Sequence, residues 1–325
     1  MVSAIPEDFE RKLDPYRTEL LAHCYRMLGS VHDAEDLVQD TYLRAWRARE
    51  NYDEQRASVR TWLYRIATNA CLTALEGRAR RPLPSGLVGS SEDPNQPFVR
   101  GREVTWLQPV PDSLLGPVPQ DPAAAAAERA SLRLAFVAAL QYLSARERAT
   151  LILREVLQFS AAEAATILGM TATGVNSALQ RARSRLSEAG VAEEGLAEST
   201  EPQLLAWVER YVESFERADL AALKQLLAID VLLEMPPMVN WYIGPENYAG
   251  FIGRVFAMRG TNWRMVPIGA NRQPAVAAYA CGGEGRYDLH TVQVFDFGPD
   301  GLRRNTVYQD PDVFAAFGLA PAFKA

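Results

Sequence analysis

Asp33, Asp36 and Asp40 recur at i, i+3 and i+7, with Gln39 beside them. At helical periodicity they form one acidic stripe. Leu37, Val38, Tyr42, Ala45 and Trp46 repeat on the other side of the same segment and suit a core. Such a stripe does no covalent chemistry. Either it meets a basic partner surface or it is a solvated helix face. In a second segment, Arg60, Trp62, Arg65, Ile66 and Asn69 mix cationic, aromatic and amide groups. A face of that kind can stack on bases and hold a phosphate backbone. From Arg60 to Arg81, five arginines stand against one acid, Glu76. The local field therefore favours a polyanion, although the whole chain carries a net charge of −6. A third cluster, Thr173, Asn176, Ser177, Gln180, Arg181 and Arg183, surrounds a buried stripe of Val175, Leu179, Ala182 and Leu186. Amides, hydroxyls and guanidinium groups are the types that read base edges and anchor phosphates.

These groups need helices to position them. Residues 9–76 read as helical, with interruptions near Gly29 and Ser30 and over Tyr52–Ser58. Nine prolines between Pro82 and Pro122 prevent a helix and mark a linker. Within it, Trp106 and Leu107 are too apolar for a free tether and are expected to dock. Beyond it, Ser144 with Glu147 and Ser160 with Glu163 have capping-box spacing. Gly169 suits the turn of a helix-turn-helix, and Thr171 can cap the helix that follows. At 325 residues, two or three domains are expected. With 48% hydrophobic and 23% charged residues, the chain has the composition of soluble globular protein.

The first two segments together resemble the region-two domain of a bacterial RNA polymerase sigma factor of the extracytoplasmic-function (ECF) type. The resemblance implies that Asp36, Gln39 and Asp40 dock core RNA polymerase. It also implies that Arg60, Trp62, Arg65 and Asn69 engage the −10 element of promoter DNA, with Trp62 either contacting the strand or wholly core. Leu143–Leu186 resembles the −35-reading domain of the same family, which assigns Thr173, Asn176, Ser177, Gln180, Arg181 and Arg183 to the −35 element. Many ECF factors carry basic residues at the positions of Asn176 and Ala178, so this recognition helix is expected to be less cationic. In the family the connector threads polymerase channels; for Trp106 the alternative is packing on this protein's own domains.

After an acidic hinge over 188–201 the pattern changes. Amphipathic helices, then strand-type runs over Asn262–Gly269, Ala275–Cys281, Arg286–Phe297 and Leu302–Tyr308, indicate an α+β domain. Leu220–Leu227 reads as helix. The order from Tyr211 through Asp219 to Glu234–Pro237 resembles the SnoaL-like (nuclear-transport-factor-like) cone fold. The fold class is thus multidomain. Two all-α sigma domains, a region-two helical bundle (9–81) and a region-four helix-turn-helix (123–187), flank a Pro-rich linker (82–122). The hinge (188–201) and an α+β SnoaL-like cone domain (202–325) follow.

Strict alternation in Arg286–Phe297 puts Tyr287, Leu289, Thr291, Gln293, Phe295 and Phe297 on one face and Asp288 with His290 on the other. Asp288 and His290 could then act as an acid–base pair. With Trp207, Trp241, Tyr242 and Tyr308 they also make a candidate ligand pocket for a small molecule. A regulatory role for this domain, toward a ligand or a regulatory protein, is the leading reading, without catalysis. The expected function is a transcription initiation factor that binds core polymerase and is regulated by its own C-terminal domain. The alternative is a helix-turn-helix regulator with a ligand-sensing or cyclase/isomerase-like C-terminal domain. Cys24, Cys71 and Cys281 lack metal-ligand spacing, so no metal or cofactor is expected. No signal-peptide pattern or membrane-length apolar run occurs, and a cytoplasmic protein that does not engage the membrane is expected.

Overall fold

A computed structural model describes residues 12–188 and 201–324. The acidic hinge, but for its end residues, lies outside them, as do residues 9–11 of the first domain. The chain divides into two compact units. One takes the chain up to Arg81 together with the stretch from Asp112; the other joins Pro82–Pro111 to the C-terminal part.

The helical unit has two lobes. The first holds α1 (Arg17–Leu28), α2 (Val31–Ala48) and α3 (Val59–Leu75). Ser30 and Ser58 cap α2 and α3 by accepting from the amides of Asp33 and Thr61. Leu20, Tyr25, Met27, Val38, Leu63 and Tyr64 fill the space between the helices. The second lobe holds α4 (Pro122–Leu132), α5 (Leu134–Leu140), α6 (Ala145–Leu151), α7 (Ala161–Leu168) and α8 (Ala172–Glu188). A π-helical turn, Ile152–Val156, prolongs α6. Both capping boxes form. Gly169, at φ 61° and ψ 39°, ends α7 in the left-handed region, which a side chain there would strain.

The lobes pack directly on each other. The Tyr64 and Phe159 rings meet edge-on at 5.1 Å, and Arg60 lies 4.4 Å from the Phe159 ring centroid. Arg26 donates to Ser131 Oγ at 2.8 Å and to its carbonyl at 3.2 Å. Arg148 donates to the carbonyls of Leu140 (2.9 Å), Leu143 (3.3 Å) and Met27. Burial lowers the pKa of both arginines to about 10, so they stay charged and their donors must be matched.

The second unit is a mixed sheet with helices against it. Its order is β2-β1-β6-β5-β4-β3, with β7 (Ala322–Lys324) on β5. β1 (Leu227–Glu234) runs parallel to β6 (Gly301–Tyr308) and antiparallel to β2 (Trp241–Ile243). β3 (Trp263–Ala270), β4 (Gln273–Gly283), β5 (Arg286–Gly298) and β6 form the antiparallel meander read from the sequence. α9 (Glu201–Glu216), α10 (Leu220–Lys224) and α11 (Pro245–Arg259) supply the rest of the core, and α12 (Pro311–Ala316) follows β6. The helix expected over Leu220–Leu227 stops at Lys224. Leu226 begins an apolar run with no helical period, and the chain enters β1 instead.

The segment Pro82–Pro111 is pinned along its length to this sheet unit. Ser85 donates through its amide (3.2 Å) and hydroxyl (3.1 Å) to Glu234, which is fully buried and also paired with Arg304. Trp241 Nε1 donates to the Val88 carbonyl at 2.8 Å, and the Ser91 amide to the Trp241 carbonyl at 2.7 Å. Val99 and Gly101 bond to Asn240 Oδ1 and the Pro237 carbonyl. The Val110 amide donates to Asn271 Oδ1 at 2.9 Å, in the β3–β4 turn. Trp106 packs within this unit: a Cβ on Gly101 would stand 2.6 Å from its ring, so only glycine fits beside it. Of the two readings for Trp106, the structure shows packing on the protein's own domain.

Candidate functional sites

On α2 the acidic stripe is unevenly available. Asp33 is bound by Arg78 (2.7 Å) and Arg81 (2.9 Å), and Asp40 pairs with Arg44 at 2.8 Å. Asp36 and Gln39 are exposed. On α3, which packs beside α2, Arg65 and Asn69 are exposed one turn apart. Trp62 is half-buried, its ring 4.7 Å from that of Tyr52. Arg60 is engaged by Glu19 at 3.2 Å as well as by Phe159. The sequence grouped four residues here; the structure leaves Arg65 and Asn69 open, with Trp62 half-buried against Tyr52 and Arg60 used in packing.

In the second lobe Thr173, Asn176, Ser177, Gln180, Arg181 and Arg183 are all exposed on α8. The Thr171 hydroxyl caps this helix, accepting from the Gly174 amide at 3.1 Å. The arginines also orient α8. Arg181 and Arg185 reach Glu147 at 3.4 and 2.6 Å, and Arg183 reaches Glu155 at 2.5 Å. Burial alone would raise the Glu147 pKa, but hydrogen bonds from Ser144, the charge of Arg185 and a hydrogen bond from Arg181 outweigh it and lower it. Ala178 is 1% exposed and belongs to the core. A basic residue there would be buried, so its absence removes no surface charge; Ala178 joins Val175, Leu179 and Ala182 in the buried stripe, and Leu186, expected in it, is half-buried.

The C-terminal unit encloses a cavity of about 270 Å³. Its apolar walls include Phe98, Phe215, Phe251, Trp263, Met235 and Met238; its polar lining is Arg259, His290, Thr291, Gln293 and Gln309. Of the six residues expected in a pocket, only His290 lines this one. Trp207 stacks on Phe297 at 6.2 Å, Trp241 holds the Val88 carbonyl, and Tyr242 and Tyr308 are core. Asp288 pairs with Arg286 at 2.7 Å. Asp288 is therefore not paired with His290, and the strand between them is irregular. The register of β4 on β5 slips between Thr291 and Leu289, which makes His290 a bulge. Before the bulge Tyr287 and Leu289 join a small cluster with Tyr279 and Phe323; after it Phe295 and Phe297 face the main core. The bulge brings Thr291 and Gln293 onto the main-core face with His290, whereas Asp288, on the same face opposite Ala280 but nearer the strand end, lies outside the cavity. Burial, then the charge of Arg259, lowers the His290 pKa to about 4, so the ring is neutral at pH 7. Behind the cavity, Gln293 Oε1 accepts from Asn305 (2.9 Å) and Tyr211 (3.2 Å), and Tyr211 and Tyr248 share a 2.7 Å bond. Among the described residues no cluster could hold a metal ion.

Three families match successive parts of the chain: Sigma-70 region 2 over residues 13–81, Sigma-70 region 4 over 133–186 and the SnoaL-like domain over 208–304. The chain is 46% identical over 317 residues to the ECF RNA polymerase sigma factor SigG of Mycobacterium tuberculosis, covering 96% of this chain and 84% of that protein. The chain belongs to the ECF RNA polymerase sigma factors. This sigma factor is also 41% identical over 70 residues to SigW of Bacillus subtilis, across 22% of this chain and 36% of SigW. The crystal structure of the M. tuberculosis extracytoplasmic function sigma factor SigJ has the same fold, with a TM-score of 0.65 at 21% identity over 95% of this chain and 99% of SigJ. The protein is therefore a sigma factor for RNA polymerase with a SnoaL-like C-terminal domain, and binds core polymerase and promoter DNA. Among the described residues no helix is long and apolar enough to cross a membrane.

Sequence reasoning about this sigma factor missed most of the cavity. Phe251 and Val255 were in a recognised helix, and their i, i+4 spacing toward the sheet was a usable signal. Phe98 gave none, because a linker residue has no period to read.

Proposed function

We propose that the sigma factor docks core RNA polymerase through Asp36, Gln39 and Asp40, engages the −10 element through Arg65 and Asn69 with Trp62 and Arg60 supporting, and reads the −35 element with α8. In this reading Asn176, Ser177 and Gln180 choose bases with Thr173, while Arg181 and Arg183 anchor phosphates. Residues 9–81 and 123–187 are the two promoter-binding domains, and the protein works in the cytoplasm. The observation that carries the reading is the exposure of Asp36 and Gln39 on α2 and of Arg65 and Asn69 on the adjoining α3. Two surfaces of opposite charge then serve two partners at once. The C-terminal domain regulates rather than catalyses. Supporting this, Asp288 is spent on Arg286 outside the cavity, and the cavity walls are mostly apolar.

The test is co-purification and run-off transcription with core polymerase. Charge reversal of Asp36 and Asp40 to Lys should abolish co-purification at moderate salt while leaving helicity intact. Arg65→Ala should spare core binding and lower transcription. Unchanged core affinity in the double variant would overturn the docking assignment.

A further inference from the structure

The cavity of the C-terminal unit has features that the regulatory reading does not use. Its polar groups are left with protons to give. As placed, the Gln309 amide nitrogen donates to His290 Nε2 at 3.0 Å, which puts the proton of the neutral ring on Nδ1. Gln293 Nε2 reaches Thr291 Oγ1 at 3.4 Å, which leaves the threonine hydroxyl proton available. Gln293 Oε1 is taken up by Asn305 and Tyr211. Arg259, exposed at the end of α11, adds a cation; among the described residues no carboxylate pairs with it. A donor-rich lining with one guanidinium suits an acceptor group, above all a carboxylate. The remaining walls are aromatic rings and methionines, which adapt to an apolar body.

One wall comes from the linker. Phe98 meets Phe251 edge-on at 6.0 Å, and the Arg254 guanidinium lies over its ring, 4.3 Å from the centroid. Arg254 Nη1 also donates to the carbonyls of Pro94 (2.9 Å) and Gln96 (2.7 Å). α11 thus supplies both the cavity wall and the grip on the linker. Whatever fills the cavity packs against Phe98, so the two events share one free energy.

We propose that this cavity binds an apolar monocarboxylate of roughly a dozen non-hydrogen atoms, with its carboxylate toward Arg259, and that the bound molecule fastens linker residues 94–101 to the C-terminal domain. The proposal deepens the regulatory reading above and rests on it for its biological use, but its test needs no polymerase, so either can fail alone.

The probes are decanoate and decanol, titrated into the full chain by calorimetry, with amide exchange read at Val99 and Gly101. Decanoate should bind saturably and more tightly than decanol. Arg259→Gln should weaken decanoate about tenfold and leave decanol unchanged. Saturating decanoate should slow exchange at both amides several-fold, and Phe98→Ala should abolish that slowing. Phe98 and Arg259 are exposed enough for both variants to fold. No saturable decanoate binding would overturn the site. Equal binding of acid and alcohol, or an unaffected Arg259→Gln, would overturn the carboxylate. Binding without change in exchange would overturn the coupling to the linker.

Discussion

Among single residues, those that face solvent are divided from those that only look as if they should. Arg65 and Asn69 are open, whereas Arg60 is held by Glu19 and Phe159. Asn69→Ala should lower discrimination at one −10 base by about 1–3 kcal/mol, measured by run-off transcription on a promoter library; a uniform loss on all promoters would mark it as structural. His23 makes a different prediction. It is fully buried, with Nε2 3.0 Å from Thr68 Oγ1, while Nδ1 has no hydrogen-bond partner among the described residues. Burial, then the charges of Arg26 and Arg60, lowers its pKa to about 3. The unfolded chain therefore binds this proton more readily than the folded one. The stability is complete above about pH 6.5 and is lost as pH falls toward 3, on the order of 2 kcal/mol by pH 5. Urea unfolding at pH 7.5 and 5 should show the loss in the helical unit, and His23→Leu should flatten it.

Elements were legible where their signals are local. Ser144 with Glu147 and Ser160 with Glu163 announced two helix starts, and both boxes form. β3, β4, β5 and β6 came from alternation and turn residues. β1 was lost because Leu226–Leu233 is an apolar run that either element can adopt. The bulge at His290 was lost because it depends on pairing with β4, a long-range event that no window of β5 contains. That one residue changed the lining of the candidate site, since alternation alone puts Thr291 and Gln293 on the face away from His290. Glu147 shows an element-level role that spacing hints at but does not reveal. Besides capping α6, it ties down Arg181 and Arg185 of α8. Glu147→Gln should cost about 1–3 kcal/mol in thermal unfolding and weaken −35 binding uniformly across sequences, since it loosens the whole reading helix. A change in base preference instead would show that Glu147 sets the contacts themselves.

At the level of the whole chain, the two helical lobes are packed together, and their contact uses Arg60, a residue proposed for the promoter. Bringing Arg60 to DNA breaks that contact, so promoter engagement should carry a cost that lobe separation sets. Phe159→Leu keeps most of the buried area but removes the ring that Arg60 and Tyr64 meet. Energy transfer between dyes at Arg47 and Thr166 should then report a larger mean separation in the free protein, with helicity unchanged; identical transfer would show that the rings do not hold the lobes. The linker has a consequence of another kind. Its docking surface, Glu234, Asn240, Trp241 and Asn271, lies far downstream in the sequence. On the ribosome both helical lobes are finished before that surface exists, and at roughly 5–20 residues per second the residues after Glu188 take about 7–27 s to make. During that interval Trp106 and Val110, buried in the finished protein, lack the neighbours that the C-terminal part supplies. A nascent chain stalled before the C-terminal domain is therefore expected to be a target for chaperones and proteases at these thirty residues.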